Sequence, residues 1–368
     1  MTTLILLMLF PLLWPILAKV IWSHDITLGK MALNICIGVI VVAGGWQLGR
    51  YAKAVDTEII NGPVVGKTSD EVSCSHSYSC NCRQTCTGSG SNQSCSQVCD
   101  TCYEHSHDVD WNLHTTVGLI TIDRIDRQGV DEPPRYSRAA VGDPVAQTHQ
   151  FQNYIKAAPD SLFNTLSEKK SFERFHSKVP EYPAHIYDYH YINRVLTVGS
   201  PVSDLAQWNA DLSMRLRTLG PAKQANVVLV FTSEQDPDFA NALKSAWLGG
   251  KKNDVIVVIG TPAYPSIEWV RVLSWTDREL FKVQLRDAIM DLKTVDRKAI
   301  LDTVEKLITS GFQRKHMADF KYLKSQIEPP TWAIVLLFIL SVLASVGTSV
   351  VFSRMDSSSS FAFKRRRW

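Results

Sequence analysis

The strongest chemical signal in the sequence is a cluster of cysteines, because seven of the eight fall between positions 74 and 102. Thiolates at this density bind zinc in a reducing compartment, and thiols pair as disulfides in an oxidising one. His76, His105 and His107 add imidazole ligands nearby, so the number of ligands leaves both alternatives open. The odd count leaves one thiol over, which favours zinc or an intermolecular bond. The clustered residues are Cys74, Cys80, Cys82, Cys86, Cys95, Cys99 and Cys102.

The middle of the cysteine segment is rich in glycine and serine, with Gly88 and Gly90 at its centre. We therefore predict a hairpin-like loop folded back on itself. Such a polar segment cannot build a hydrophobic core of its own and needs cross-links. A redox-active pair at Cys99 and Cys102 would need the strand-then-helix setting of an oxidoreductase, which the surrounding sequence lacks.

Three aspartates later in the chain are a second set of candidate metal ligands, beside His105 and His107. Asp236 and Asp238 follow a predicted buried strand, and Asp254 begins the next one. Open α/β sheets bind ligands beyond the carboxyl ends of their strands, and carboxylates suit a divalent cation. For Asp254 we favour a structural role, as the residue that closes a Gly-Lys-Lys-Asn turn.

Nothing further in the sequence predicts an enzyme. The phosphate-binding GxxxxGK[ST] and GxGxxG motifs are absent, as are HExxH and GxSxG. The charges nearly balance, with 39 Lys and Arg against 36 Asp and Glu. A general nucleic-acid binder would have many more basic than acidic residues, so the balance argues against that class of protein. We therefore lean towards a non-enzymatic protein without a nucleic-acid partner.

Three apolar runs at the two ends of the chain predict transmembrane helices, so the lipid bilayer is an expected partner. They are Leu4–Trp22, Met31–Leu48 and Trp332–Phe352. Each has about the 20 residues that a helix needs to cross a bilayer. The first run resembles a signal peptide in length, but it lacks a basic start and a second apolar run follows at once, so we expect a retained helix.

Lysine and arginine near the spans predict the orientation. Arg354 and Lys364–Arg367 follow the third span, so we expect a cytoplasmic C-terminal tail that contacts anionic headgroups. A polar linker at Asp356–Ser360 is expected before the tail. Residues 51–330 then lie outside the cytoplasm, where thiols oxidise, and this favours disulfides over zinc.

The water-facing part of the chain shows two different hydrophobic patterns. Val109–Asp123 alternates β-branched and polar residues and predicts one or two hairpins beside the cysteine loop. Residues 185–310 alternate strands with amphipathic helices, which predicts a helix-covered, partly parallel sheet. The predicted strands are His190–Val198, Ala225–Thr232, Asp254–Gly260 and Glu268–Trp275. The predicted helices are Leu205–Leu219, stopped by Gly220–Pro221, and then Asp238–Leu248, Asp277–Asp291 and Asp296–Ser310.

The fold class is therefore α+β, with transmembrane helices at both ends. We divide the chain into two transmembrane helices (1–49), a small cysteine-rich β module (50–165), an α/β domain (166–328), a third transmembrane helix (329–352) and a basic tail (353–368).

The cysteine segment resembles a family of uncharacterised membrane proteins of tailed bacteriophages. The resemblance covers residues 50–165 and implies a bacterial host membrane and no established activity. It rests on a C-N-C-x3-C-x-G-S-G-x4-C-x3-C-D-T-C-Y-E pattern that starts at Cys80, and on Asp56–Gly62, Asn153–Ala157 and Pro159–Phe163.

The α/β part resembles the TPM domain family over residues 190–310. The resemblance rests on Ala246-Trp247, Gly250-Lys-Lys-Asn-Asp254 and the strand Val255–Ile259. It implies an extracytoplasmic domain followed by a C-terminal span. Some members are similar to metal-dependent acid phosphatases, and Asp254 matches the family's acidic position before the strand.

Our leading hypothesis is a non-enzymatic, phage-type protein of the bacterial inner membrane with an extracytoplasmic interaction domain. Its expected partner is a membrane or envelope protein, or a second copy of itself. The first alternative is a metal-dependent, phosphatase-like hydrolase that uses Asp254 with Asp236 or Asp238. The second is a zinc-binding interaction module, in which the cysteine cluster holds the zinc.

Overall fold

The computed structural model describes residues 2–87, 94–158, 166–183 and 193–364. The predicted turn at Gly88 and Gly90, the segment 159–163 and the basic residues 365–367 lie outside the described residues, as does the start of the strand predicted from His190.

The described residues form two compact units. Unit 1 takes its residues from Met1–Thr57, Gln150–Thr165 and His316–Trp368, and unit 2 from Glu58–His149 and Leu166–Lys315. Unit 2 therefore holds both the cysteine-rich segment and the α/β part. The helices are α1 (Thr2–Ile21), α2 (Leu28–Ala54), α3 (Pro134–Arg138), α4 (Tyr154–Ala157), α5 (Leu166–Phe175), α6 (Leu205–Lys223), α7 (Phe239–Ala246), α8 (Glu279–Met290), α9 (Arg297–Gly311) and α10 (Thr331–Lys364), with a 3-10 segment at Met317–Gln326.

The strands form three sheets. They are β1 (Val55–Val72), β2 (Ser77–Thr87), β3 (Ser94–Tyr103), β4 (Asp108–Thr115), β5 (Gly118–Ile122), β6 (Pro144–Gln152), β7 (Val195–Val198), β8 (Asn226–Thr232), β9 (Asp254–Gly260) and β10 (Trp269–Ser274). The orders are β5-β4-β1-β6, β10-β9-β8-β7 and the pair β2-β3. The predicted α+β class and the hairpin of β4 and β5 are confirmed.

Unit 1 is built on the three apolar helices α1, α2 and α10, each long and apolar enough to cross a membrane. The three predicted apolar runs are thus confirmed as helices. The linker predicted at Asp356–Ser360 is wrong, because α10 continues through it to Lys364. The reason is that no glycine or proline stands between Phe352 and Lys364 to end the helix.

A buried asparagine joins two of these helices. Asn34 of α2 donates from Nδ2 to the carbonyl of Ser345 and to the hydroxyl of Ser349, both in α10, at 3.0 and 2.8 Å. Trp14 of α1 donates to the same Ser349 hydroxyl at 3.2 Å. In a bilayer the hydrophobic effect does not draw helices together, so their association depends on close packing and on interhelical hydrogen bonds of this kind.

The α/β sheet has an apolar cluster on each face, which explains its nearly continuous apolar strands. Strands β7, β8 and β9 run parallel, and β10 pairs antiparallel with β9. One cluster contains side chains of α6, α8 and α9, and the other contains side chains of α5 and α7. The predicted partly parallel, helix-covered sheet is confirmed.

Helix α6 corrects one predicted boundary. The expected stop at Gly220–Pro221 is wrong, because the helix runs to Lys223 and ends at Gln224. Proline removes one donor, but the last turn still closes through a hydrogen bond from Gln224 N–H to the Gly220 carbonyl. Gln224 adopts the left-handed conformation, with φ 53°, that commonly ends a helix.

Candidate functional site

Six of the seven clustered cysteines form disulfides across the ribbon of β2 and β3. The pairs are Cys80–Cys102, Cys82–Cys99 and Cys86–Cys95, with Cα–Cα distances of 5.8, 3.9 and 3.9 Å. The strands run antiparallel, so the three pairs are nested from the base of the ribbon towards its tip. The sequence was compatible with either disulfides or a zinc site, and for these six residues the structure has disulfides.

The described side chains of β2 and β3 give the ribbon no buried face. Tyr78, Val98 and Tyr103 are 52, 44 and 58% exposed. An isolated two-stranded ribbon is marginal in water, so these strands depend on their cross-links for order.

The seventh cysteine, Cys74, is a buried free thiol in the loop between β1 and β2, at the base of the ribbon. Its Sγ lies 3.7 Å from Nδ1 of His105. That nitrogen lies 3.3 Å from Oδ1 of Asp108, the first residue of β4. His76, two residues after Cys74, has its Nδ1 3.8 Å from Oδ2 of Asp108. Potential ligand atoms of these four residues all lie within 4.8 Å of one another.

Asp108 is held in a defined orientation by two neighbours. Ser75 donates its backbone N–H and its hydroxyl to Oδ2 at 2.8 and 3.0 Å, and Arg124 donates to the same oxygen at 2.7 Å. These donors, the Ser75 N–H above all, hold the pKa of Asp108 well below its usual range. The side chain is therefore an anion at neutral pH, with Oδ1 on the side of His105.

His107, which the sequence grouped with His105 as a metal candidate, lies outside this cluster. Its Nε2 faces Glu71 at 3.9 Å. His76 and Asp108 complete the group instead. Asp108 is the residue that sequence reasoning missed, because only the pairing of the chain on both sides of the ribbon brings it beside Cys74.

Asp236 and Asp238 lie together near the start of α7, where both face a cation. Nη2 of Arg174 is 2.6 Å from Asp236 and 3.1 Å from Asp238. The hydroxyl of Ser171 donates to Asp238 at 2.6 Å, and this bond is the main reason that the pKa of Asp238 is lowered. One guanidinium therefore faces both carboxylates and offsets one of their two negative charges.

Asp254 lies at the opposite end of the sheet from this pair. It is the first residue of β9 and stands beside Asn226, whereas Asp236 follows Thr232, the last residue of β8. A strand rises about 3.3 Å per residue, so these two ends are about 20 Å apart. The shared site suggested for Asp254 with Asp236 or Asp238 is therefore not formed, because one cation cannot reach both ends.

Asp254 belongs instead to a buried polar network. Its Oδ2 accepts hydrogen bonds from the Tyr182 hydroxyl and the Lys251 N–H, both at 2.7 Å, and Oδ1 accepts one from Asn226 at 2.9 Å. Burial has the largest effect and raises the pKa of Asp254 to about 6. The bond to Lys251 closes the turn before β9.

The same network joins the two larger sheets of unit 2. Oδ1 of Asn226 accepts hydrogen bonds from Nε of Arg194 at 3.1 Å and from the side-chain amide of Asn61, in β1, at 3.2 Å. Arg194 also donates to the Asn61 side chain. Burial lowers the pKa of Arg194 to about 9. Asn226 and Arg194 therefore link β1 to the α/β sheet, and Asp254 holds Asn226 in place.

No protein family profile, curated protein or solved structure matches this chain. The features that bear on function are therefore its own: the three apolar helices, the disulfide ribbon and the Cys-His-His-Asp group at the base of the ribbon.

Proposed function

We propose that this chain is a non-enzymatic, multi-pass protein of a bacterial inner membrane, whose extracytoplasmic body presents the disulfide ribbon as an interaction surface. The observation that carries the proposal is the ribbon itself, two strands with no buried face among their described side chains and three cross-links. A surface that is stiff before contact loses little conformational entropy on binding.

The disulfides support the proposed compartment. They persist in oxidising surroundings such as the periplasm and are rare in the cytosol. The basic residues after α10 support a cytoplasmic C-terminus by the positive-inside rule. Both arguments support a ribbon that lies outside the cytoplasm.

Two sequence resemblances support the proposal, the first for a phage origin and the second for an extracytoplasmic body. Residues 50–165 resemble membrane proteins of tailed bacteriophages, and residues 190–310 resemble TPM domains, whose members are typically extracytoplasmic. A phage-encoded protein of this kind would act in the envelope of the host.

The proposed partner is an envelope protein or a second copy of this chain. The ribbon offers Tyr78, Val98 and Tyr103 as apolar contacts. Among the described strands, β2 and β3 pair only with each other, so each leaves one edge open. An open edge can bind an extended segment by strand addition.

Site-specific photo-crosslinking in intact cells tests the surface. A crosslinker in place of Tyr78 or Tyr103 should join the chain to one defined envelope protein or to a second copy. The matched control replaces Val141, which is 67% exposed but outside the ribbon. Equal crosslinking from Val141, or none from the ribbon, would contradict the proposal.

A pair of topology reporters tests the compartment. A reporter that is active only in the cytoplasm should work when fused after residue 368, and one that is active only in the periplasm should not. The opposite pattern would place the ribbon in the cytoplasm and overturn the proposed location.

A further inference from the structure

We propose that Cys74, His76, His105 and Asp108 form a tetrahedral site for one zinc ion at the base of the disulfide ribbon. The disulfides occupy the other six clustered cysteines, so this site and the ribbon exist together. The inference does not depend on the function proposed above.

The spacing of the ligand atoms suits a tetrahedral ion. On a zinc ion with bonds of about 2.0 to 2.3 Å, ligand atoms lie roughly 3.3 to 3.6 Å apart. Nδ1 of His105 lies 3.3 Å from Oδ1 of Asp108 and 3.7 Å from Sγ of Cys74, and ligand atoms of all four residues, His76 included, lie within 4.8 Å of one another. Small side-chain rotations therefore suffice to close the site.

The donor set selects the metal. A thiolate and two imidazoles are soft or borderline ligands that suit zinc and disfavour calcium and magnesium, which take oxygen. Four protein ligands without an open position are typical of a structural zinc site.

The charges balance around a divalent ion. The thiolate of Cys74 and the carboxylate of Asp108 together neutralise the two positive charges of zinc. Arg124, which donates to Asp108, is offset by Asp110, to which it donates at 2.7 Å. A partly buried site that is neutral overall avoids the desolvation cost of an unpaired charge.

Ser75 and Arg124 also act as outer partners of the proposed site. Their three hydrogen bonds occupy Oδ2 of Asp108 and leave Oδ1 on the His105 side. Metal-bound carboxylates are commonly oriented in this way, and the outer partners tune the affinity.

The position in the fold gives the ion a mechanical role. Cys74 and His76 precede β2, and His105 and Asp108 follow β3, so the four ligands continue the nested order of the disulfides. Zinc would be a fourth cross-link at the base of the ribbon. A fourth disulfide cannot form there, because Cys74 has no second cysteine to pair with.

Zinc stoichiometry tests the site. The full chain, purified in detergent without reductant and through a tag that lacks histidine, is saturated with zinc, dialysed and analysed for metal. We expect about one zinc per chain in the wild type and in the control His107→Asn, and less than a tenth of that in Cys74→Ser. Equal zinc in the wild type and Cys74→Ser, or none in the wild type, would overturn the proposal.

Two further measurements guard against misfolding of the variant. Zinc should slow alkylation of Cys74 in the wild-type chain at least tenfold, read on the peptide that contains it. Cobalt should give a thiolate charge-transfer band in the wild type and in His107→Asn and not in Cys74→Ser, with all three disulfides intact by mass. Unprotected Cys74, or a band that survives in Cys74→Ser, would exclude the site.

Discussion

At the scale of single residues, the side chain of Asp254 shows how burial and hydrogen bonds oppose each other. Three donors favour the carboxylate, yet complete burial raises its pKa from 3.8 to about 6. The folded protein therefore holds the proton more tightly than the unfolded chain does. This group stabilises the fold below pH 3.8, and its contribution is lost as the pH rises towards 6.

We expect Asp254→Asn to remove this pH dependence. A pKa raised from 3.8 to about 6 corresponds to about 3 kcal/mol in all, of which about 2 kcal/mol is lost between pH 4 and pH 7. The amide is neutral at every pH, but it replaces an acceptor that faces two donors, so the variant should lose about 1–3 kcal/mol at pH 7. Chemical denaturation followed by tryptophan fluorescence across this pH range measures both effects.

The control for that experiment is Asp291→Asn, which changes an exposed carboxylate. It should keep the pH slope of the wild type. A slope that is unchanged in Asp254→Asn would mean that this carboxyl titrates alike in the folded and unfolded chains.

At the scale of elements, the disulfide ribbon and the α/β sheet are stable for different reasons. All described strand residues of β8 and β9 are buried, whereas the described side chains of the ribbon are not. Burial holds the sheet, and cross-links that close chain separations of 9, 17 and 22 residues hold the ribbon.

Reduction should therefore loosen the ribbon alone. After reduction and alkylation, we expect amide exchange to rise at least tenfold in β2 and β3 and to stay unchanged in β8 and β9. Hydrogen exchange with mass spectrometry measures both. The double variant Cys86→Ser with Cys95→Ser should loosen the tip before the base. Exchange that rises equally in both elements would show that the disulfides support unit 2 as a whole.

The contact of α6 with β1 depends on a missing side chain. A Cβ added to Gly220 would stand 2.5 Å from the carbonyl carbon of Asn61. We expect Gly220→Ala to destabilise the fold by about 1–3 kcal/mol, because packed backbones cannot separate without loss of contact. Gly66→Ala is the matched control, since its Cβ would have an ordinary 3.8 Å contact with His114. Equal stability of the two variants would contradict the close approach.

At the scale of the whole molecule, the thiols report the compartment in which the chain folds. The sequence has eight cysteines, and Cys36 and Cys74 are free. A chain whose ribbon folds in an oxidising compartment should show two thiols when denatured without reductant, and eight after reduction. A mass-shift reagent counts both. Eight thiols without reduction would indicate a cytoplasmic ribbon.

Much of this architecture could be predicted from local sequence. The runs of apolar residues that became α1, α2 and α10 predict helices because their length and composition suit a bilayer. The alternation of buried strands and amphipathic helices predicted the partly parallel sheet, since each element must bury its own apolar face. Both patterns depend only on residues that are close in sequence, so they can be recognised without knowledge of the fold.

Which distant residues meet depends on the fold and not on local sequence. Strand register selected the six paired cysteines, left Cys74 free and placed it beside His105 and Asp108. The parallel order of β8 and β9 put Asp254 and Asp236 at opposite ends of the sheet. Register between segments far apart in the chain follows from packing of whole faces, which no local pattern encodes. Local sequence therefore accounts for the helices, the strands and the available ligand residues, and the fold accounts for the site.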